Sequence, residues 1–286
     1  LVDLTLATPA AIHRWQGYSL IGDYIMPIII SLYDYTGEAV RPWAEQGYMC
    51  YCYDIQHSSD PHPNEDQVES VGKGLITYLH ADLYNPYYYE DIYRTMKDQD
   101  VHMVLGFPVC TDMAVSGAAW FKAKAEVDPD FQEKAVSHAV AVAALAKRLD
   151  VPYMVENPVS VLATKWRKPD HTFHPYEYGG YIAEDDAQHP TWPDYIADRD
   201  AYPKKTCLWT GNGFVMPPKV PVEPESGHSR QHLKLGGKSA KTKNIRSATP
   251  RGFAIAVMAA NTNKETTNGN QDGSRQAVQG TDIFVS

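Results

Sequence analysis

The chain has 286 residues, 43% of them hydrophobic and 21% charged, a composition that buries a core and excludes disorder throughout. No apolar run approaches the ~20 residues that cross a bilayer as a helix, and no basic leader with an apolar run and cleavage site is recognisable. The four cysteines are too few for a disulfide framework, so the expectation is a cytoplasmic protein with no membrane partner. The net charge of −9 is uneven: Ser229–Arg251 holds Arg230, Lys234, Lys238, Lys241, Lys243, Arg246 and Arg251 with no Asp or Glu. A basic segment on an acidic body reads as a phosphate-binding stripe, and the alternative is a solvated loop.

Residues 1–20 read as a loose lead-in. Pro27–Tyr33 is a β-branched apolar run, the pattern of a buried strand, and it ends in the turn-like Asp34-Tyr35-Thr36-Gly37. A short helix fits Glu38–Glu45, punctuated by Gly47. Further strands are predicted at Tyr48–Ile55, Leu75–Leu79, Val101–Phe107 and Val151–Val155, with a polar loop at Asp60–Asp66. Phe131–Leu149 carries Ala and Val at helical spacing. Strands alternating with helices predict an α/β parallel sheet. From Arg167 to Pro203 the periodicity gives way to Pro, Tyr, His and Asp, which suggests a small irregular region. Thr249–Ala260 is helical again, and the Asn-, Gln- and Thr-rich remainder reads as a floppy tail.

Parallel sheets bind ligands at the carboxyl ends of their strands, and the chemically interesting residues fall there. Asp54 ends the second strand, where a carboxylate accepts from a ribose diol; Asp82 follows the third and suits an adenine amino group. For each aspartate alone a turn or cap role is the plainer reading. Cys110 follows the fourth strand in Gly106–Gly117, where a helix start lowers a thiol's pKa, although a lone cysteine is most often a small core residue. Glu156-Asn157-Pro158 follows the fifth. A thiolate beside a carboxyl group suits addition to an electron-poor heterocycle, with the carboxyl group on a ring nitrogen while sulfur attacks carbon. The histidines at 171, 174, 228 and 232 include two closely spaced pairs, but no metal site is expected.

At this point the sequence resembles a known family. GFPVCTDMAVSG is similar, without gaps, to the catalytic loop of DNA (cytosine-5)-methyltransferases, whose pattern is close to GGPPCQDFSVAG. VPYMVENPVS resembles their Glu-Asn-Val or Glu-Asn-Pro strand, and SLYDYTG their first S-adenosylmethionine loop. HPYEYGG, KKTCLW and RSATPRGFAIAVMAAN resemble phage-encoded members. Val109 stands where the family usually has a second proline, Tyr35 and Glu38 where it often has glycine, and Glu177 where many relatives have Gln.

The resemblance implies an S-adenosylmethionine-dependent methyltransferase with a Rossmann-like sheet and a small irregular target-recognition region. Residues 20–166 and 246–262 would form the catalytic domain, 167–245 the recognition region and 263–286 a flexible tail. Cys110 would attack C6 of a flipped-out cytosine, with Glu156 and Asn157 beside it. Tyr33, Thr36, Gly37, Asp54, Ile55, Asp82 and Pro108 would line the S-adenosylmethionine site. Lys238, Lys241, Lys243, Arg246 and Arg251 would grip the phosphates of double-stranded DNA. Lys205 and Arg167 are candidates for the cation supporting the target base. The implied role is protection of phage DNA from restriction by a monomer in the host cytoplasm. The alternatives are the same fold acting on RNA, on a modified pyrimidine or with a variant cofactor, and a non-catalytic DNA-binding decoy.

Overall fold

The computed structural model describes residues 20–21, 24–59, 67–236 and 239–262. The expected loop at 60–66 and the expected tail at 263–286 lie outside the described residues, as do Lys238 and nearly all of the expected lead-in at 1–20. Two short strands, β1 (Leu20–Ile21) and β2 (Tyr24–Ile25), pair antiparallel. The chain then runs through β3 (Ile28–Leu32), α1 (Arg41–Glu45), β4 (Met49–Asp54), β5 (Val68–Val71), β6 (Gly74–His80), α2 (Tyr87–Met96) and β7 (Val101–Gly106). It continues with α3 (Phe121–Val127), α4 (Phe131–Leu149), β8 (Tyr153–Pro158), α5 (Leu162–Lys165), β9 (His171–Phe173) and β10 (Thr206–Gly211), then α6 (Arg230–Lys234), α7 (Ala240–Ser247) and α8 (Arg251–Asn261).

Among the described residues β3–β10 form one mixed sheet in the order β5-β6-β4-β3-β7-β8-β10-β9. Strands β6, β4, β3, β7 and β8 are mutually parallel, whereas β5 runs against β6 and β10 runs against both β8 and β9. The α/β class and the mostly parallel sheet are therefore as expected, and the order is compatible with a Rossmann-like fold. The chain lays strands outward from β3 through β4 to β6, then returns to the other side of β3 with β7 and β8. The switch point between β3 and β7 is where a sheet of this kind opens a crevice.

Alternate residues of β3 face opposite layers because side chains on a strand alternate. Ile28, Ile30 and Leu32 join one core with Ala139, Val142 and Ala146 of α4 and Ile92 and Met96 of α2. Ile29 joins a second core with Trp43 of α1 and Phe253 and Val257 of α8. Helix α4 packs closely over the end of β7 because Gly106 has no side chain: a Cβ there would lie 2.6 Å from Val142 Cγ1.

Residues 167–245 are not separate from the sheet, since β9 and β10 complete it. The irregular part lies around those strands and has a small core of its own, in which Ile196, Tyr202, Leu235, Ile245 and Ala248 are buried together. Strand β8 runs on through Glu156, Asn157 and Pro158 rather than ending at Val155. Those residues pair with Leu208, Cys207 and Thr206 of β10, a partner the local sequence does not reveal. Among the described residues no helix is long and apolar enough to cross a membrane.

Candidate active site

Pairing between β7 and β8 ends at Gly106 with Val155, so Phe107–Cys110 and Glu156–Pro158 lead away from a shared point. Asn157 bridges them, its buried Nδ2 donating to Pro108 O at 2.8 Å. A turn then follows, with the N–H groups of Met113 and Ala114 donating to Cys110 O at 3.0 and 2.8 Å. The two expected chemical segments therefore meet beside the switch point. Asn157 Oδ1 and Ser160 Oγ are buried here without a protein partner, an arrangement that native cores rarely leave without a role.

Burial raises the Cys110 thiol, and the charge of Glu156 raises it further, while Lys204 works the other way. The expected lowering by a helix start is overturned: a short 3-10 turn, Val115–Trp120, follows, and desolvation dominates. Burial also raises the Glu156 carboxyl group, again opposed by Lys204. Ionising either group alone therefore carries a penalty, and a neutral Glu156 removes one of the obstacles to a Cys110 thiolate.

Lys204 is the residue that sequence reasoning missed. It is half-buried just before β10, and its Nζ donates to Arg246 O at 2.9 Å. The two cations the sequence nominated lie elsewhere. Arg167 donates to Asp170 at 2.7 Å and to Thr210 O at 2.9 Å, Thr210 being the β10 partner of Met154, and Lys205 is exposed. The signal is the doubled lysine that opens KKTCLW; choosing between neighbours requires the tertiary structure.

The loop after β3 is organised by Asp34. Its buried carboxylate accepts from Ser31 Oγ at 2.8 Å, from Gly37 N–H at 2.8 Å and from Thr36 N–H at 3.2 Å. Gly37 has φ +70°, and a Cβ there would lie 2.6 Å from the Tyr78 hydroxyl, so conformation and space both favour glycine. Tyr33 also has a left-handed backbone, φ 59°, and its hydroxyl donates to Leu83 O at 3.3 Å and meets the Tyr89 hydroxyl at 3.0 Å. Tyr33, Thr36 and Gly37 thus shape this loop with hydrogen bonds already made inside the protein. Tyr35 stacks on His57 with ring centroids 5.4 Å apart. Glu38 is buried, which pushes its carboxyl up to about 7.

Asp54 and Asp82 stand on adjacent strand ends, since Asp54 pairs with His80. Each uses Oδ1 on its own turn, accepting from Gln56 N–H at 2.8 Å and Tyr84 N–H at 3.1 Å respectively. No described residue hydrogen-bonds Oδ2 of either carboxylate. Ile55, beside Asp54, is an apolar side chain 53% exposed. Carboxylate oxygens next to an exposed apolar face suit a nucleoside, with ribose hydroxyls on one and the base against the other. Pro108 is buried and fixed through its carbonyl by Asn157.

The basic segment is folded rather than a solvated loop. Ser229 Oγ caps α6 by accepting from His232 N–H at 3.3 Å, and Ser239 Oγ caps α7 by accepting from Thr242 N–H at 3.2 Å. Lys241 and Lys243 are exposed on α7. Arg246 donates to Leu235 O at 2.7 Å. Arg230 is consumed by Glu225, Asp198 and two carbonyls. Arg251 is likewise committed inside the protein, to the Asp186 carboxylate and the carbonyls of Asp186 and Gln188. Of the five expected phosphate ligands, Lys241 and Lys243 are the pair whose side chains make no hydrogen bond or ion pair to another described residue, and Lys241 Nζ lies 5.5 Å from the centre of the Tyr195 ring. No group of three or more His, Cys, Asp or Glu placed to hold a metal occurs among the described residues.

Neither a scan against protein-family models nor a search of curated proteins finds a match for this chain.

Proposed function

We propose that the chain is an S-adenosylmethionine-dependent DNA (cytosine-5)-methyltransferase. The observation that carries the reading is the meeting of Cys110 and Glu156 at the diverging ends of β7 and β8, locked together by Asn157 and Pro108. The resemblance of the Cys110 loop and the Glu156-Asn157-Pro158 segment to that family supports it, and so do the carboxylates at the ends of β4 and β6.

In this reading double-stranded DNA is held partly by Lys241 and Lys243, and the target cytosine leaves the stack at a cost of a few kcal/mol. Glu156, whose protonated form burial favours and Lys204 opposes, donates to N3 and draws electron density from the ring. The Cys110 thiolate adds to C6, which leaves the electron pair at C5. S-adenosylmethionine supplies an electrophilic methyl group to that carbon. The C5 proton then passes to water and the N3 proton returns to Glu156, which restores the double bond as the Cys110 sulfur leaves with its electron pair. Lys204 offsets negative charge on Cys110 and Glu156 in turn. Asp54, Ile55 and Asp82 hold the adenosyl part, while the Tyr33–Gly37 loop limits its position by shape.

Nucleoside analysis of DNA from cells expressing the protein tests this directly. The expected product is 5-methylcytosine; DNA without it, or with methyl groups on an exocyclic nitrogen, overturns the reading. Two narrower results are expected. Asp54→Ala weakens S-adenosylmethionine binding by calorimetry and leaves DNA affinity unchanged, whereas an unmoved cofactor Kd removes Asp54 and Asp82 from the site. Replacing Lys241 and Lys243 together by Gln flattens the salt dependence of DNA binding by up to ~2 units of log–log slope, since each phosphate contact contributes about 0.9. The preferred sequence stays the same, because phosphate contacts carry no base information; an unchanged slope shows that α7 does not touch the backbone.

A further inference from the structure

The parallel part of the sheet ends at β6, yet β5 pairs antiparallel on its outer side. The register places Glu69 opposite Ile76, whose side chain lies in the core beneath α1. Tyr78 stands two residues further along β6, on the same face and at the diagonal position a long side chain can reach. Its hydroxyl donates to Glu69 Oε2 at 3.0 Å, and burial raises the phenol so that it stays protonated. Arg41, the first residue of α1, closes on the same carboxylate as a fork, Nη1 donating to Oε1 at 2.8 Å and Nη2 to Oε2 at 3.0 Å. Both Glu69 oxygens are thus engaged inside the protein, and the Arg41 fork holds the carboxyl group below its ordinary range, in the ionised form that makes such bonds strong.

The network returns to the loop after β3 at several points. The N–H groups of Val40 and Arg41 both donate to Gly37 O at 3.1 Å, which ties the start of α1 to the loop. From the other side, the Tyr78 hydroxyl sits against the place where a side chain on Gly37 would begin. The Tyr78 ring also lies on His57, with centroids 5.2 Å apart. His57 in turn stacks on Tyr35 and hydrogen-bonds to Asp34 O at 3.1 Å. Tyr33 gives the loop a left-handed residue other than glycine, a conformation that persists only where the surroundings enforce it. Part of that enforcement comes from β5 and α1, outside the crevice.

We propose that Glu69 is a positioning residue: acting from the edge strand through Tyr78 and Arg41, it fixes the Tyr33–Gly37 loop in the shape that receives the cofactor. The inference rests on reading that loop as part of the S-adenosylmethionine site. Glu69 itself makes no contact with the ligand. Its contribution is to order the loop beforehand, so that binding does not carry that entropic cost.

Two measurements on the full chain test this. In hydrogen exchange without ligand, Glu69→Ala is expected to speed exchange of the amides from Asp34 to Arg41 several-fold while those of α4 stay protected, the mark of a local opening. In calorimetric titration the same variant raises the S-adenosylmethionine Kd ~fivefold, the scale of one partly exposed bidentate ion pair. Steady-state methylation then shows a matching rise in KM for S-adenosylmethionine with kcat unchanged. Tyr78→Phe gives a smaller loss, and adding it to Glu69→Ala gives none further, because both cut one circuit. Should Glu69→Ala misfold, Arg41→Gln opens the fork from α1 and gives the same result. Unchanged exchange in the loop, faster exchange with an unmoved Kd, or a fall in kcat with KM unchanged overturns the role of Glu69 alone. Wild-type protein that binds no S-adenosylmethionine overturns the cofactor site and this inference together.

Discussion

Cys110→Ala is expected to abolish methyl transfer, a loss on the order of 10⁴-fold or more, the scale of nucleophile removal in other covalent enzymes. The other cysteines cannot substitute. Cys50 and Cys52 are buried in β4 with thiols raised well above the ordinary value by burial, and Cys207 is buried within β10. Cys110 is only partly buried, so the alanine variant leaves a small defect and keeps its fold. DNA affinity is expected to stay within about twofold, because binding is dominated by phosphate contacts that Cys110 does not make. Steady-state methylation and a filter-binding measurement on the same preparation check both halves. Turnover at the wild-type rate in the alanine variant shows that Cys110 is not the nucleophile.

The second large effect is that of Glu156→Gln, expected to slow the chemical step by ~10²–10⁴-fold, the range for positioned acid–base catalysis. The amide fills the same space beside β10 but has no carboxylic proton for N3. Its sign with pH is also fixed. Burial raises both Glu156 and Cys110, and the reacting form needs Glu156 protonated and Cys110 ionised. Activity rises with pH while Cys110 ionises and is limited as Glu156 loses its proton, so the wild-type profile is a bell that declines on the alkaline side. With Gln in place the carboxyl group no longer titrates, and the residual activity rises with pH to a plateau without that decline. Single-turnover rates across pH measure this; a wild-type-like rate and profile make Glu156 a structural residue.

What the sequence made legible was what local pattern encodes. Ile28–Leu32 is buried on both faces and therefore reads as one apolar run, and α4 occupies Phe131–Leu149 because its Ala and Val positions repeat at helical spacing. The strand-end position of Asp54 and the approach of Cys110 to Glu156 follow from those elements. Long-range pairing was not legible. Val68–Val71 becomes a strand through its neighbour β6, and Thr206–Gly211 through β8 and β9. For the same reason Glu156 lies inside β8, and Lys204 is the cation whose charge opposes the shifts of Cys110 and Glu156. Charge was read too simply in the basic segment. Arg251 looks like a phosphate ligand until Asp186, 65 residues earlier, is seen to hold it, and Arg230 is spent on Glu225. In the loop after β3, Tyr35 stacks on His57 and Glu38 is enclosed, contacts with residues far along the chain that local pattern does not encode.

The central claim is that Cys110 bonds to C6 of a cytosine during transfer to C5. A duplex carrying 5-fluorocytosine tests it most directly, because fluorine at C5 blocks the proton loss that releases the protein. Incubated with that duplex and S-adenosylmethionine, the wild-type protein is predicted to form a covalent complex, seen by intact-mass spectrometry and mapped to the peptide containing Cys110, and Cys110→Ala to form none. A preparation that methylates ordinary DNA yet leaves the fluorinated duplex unbound, or that carries the adduct on another residue, would contradict the account.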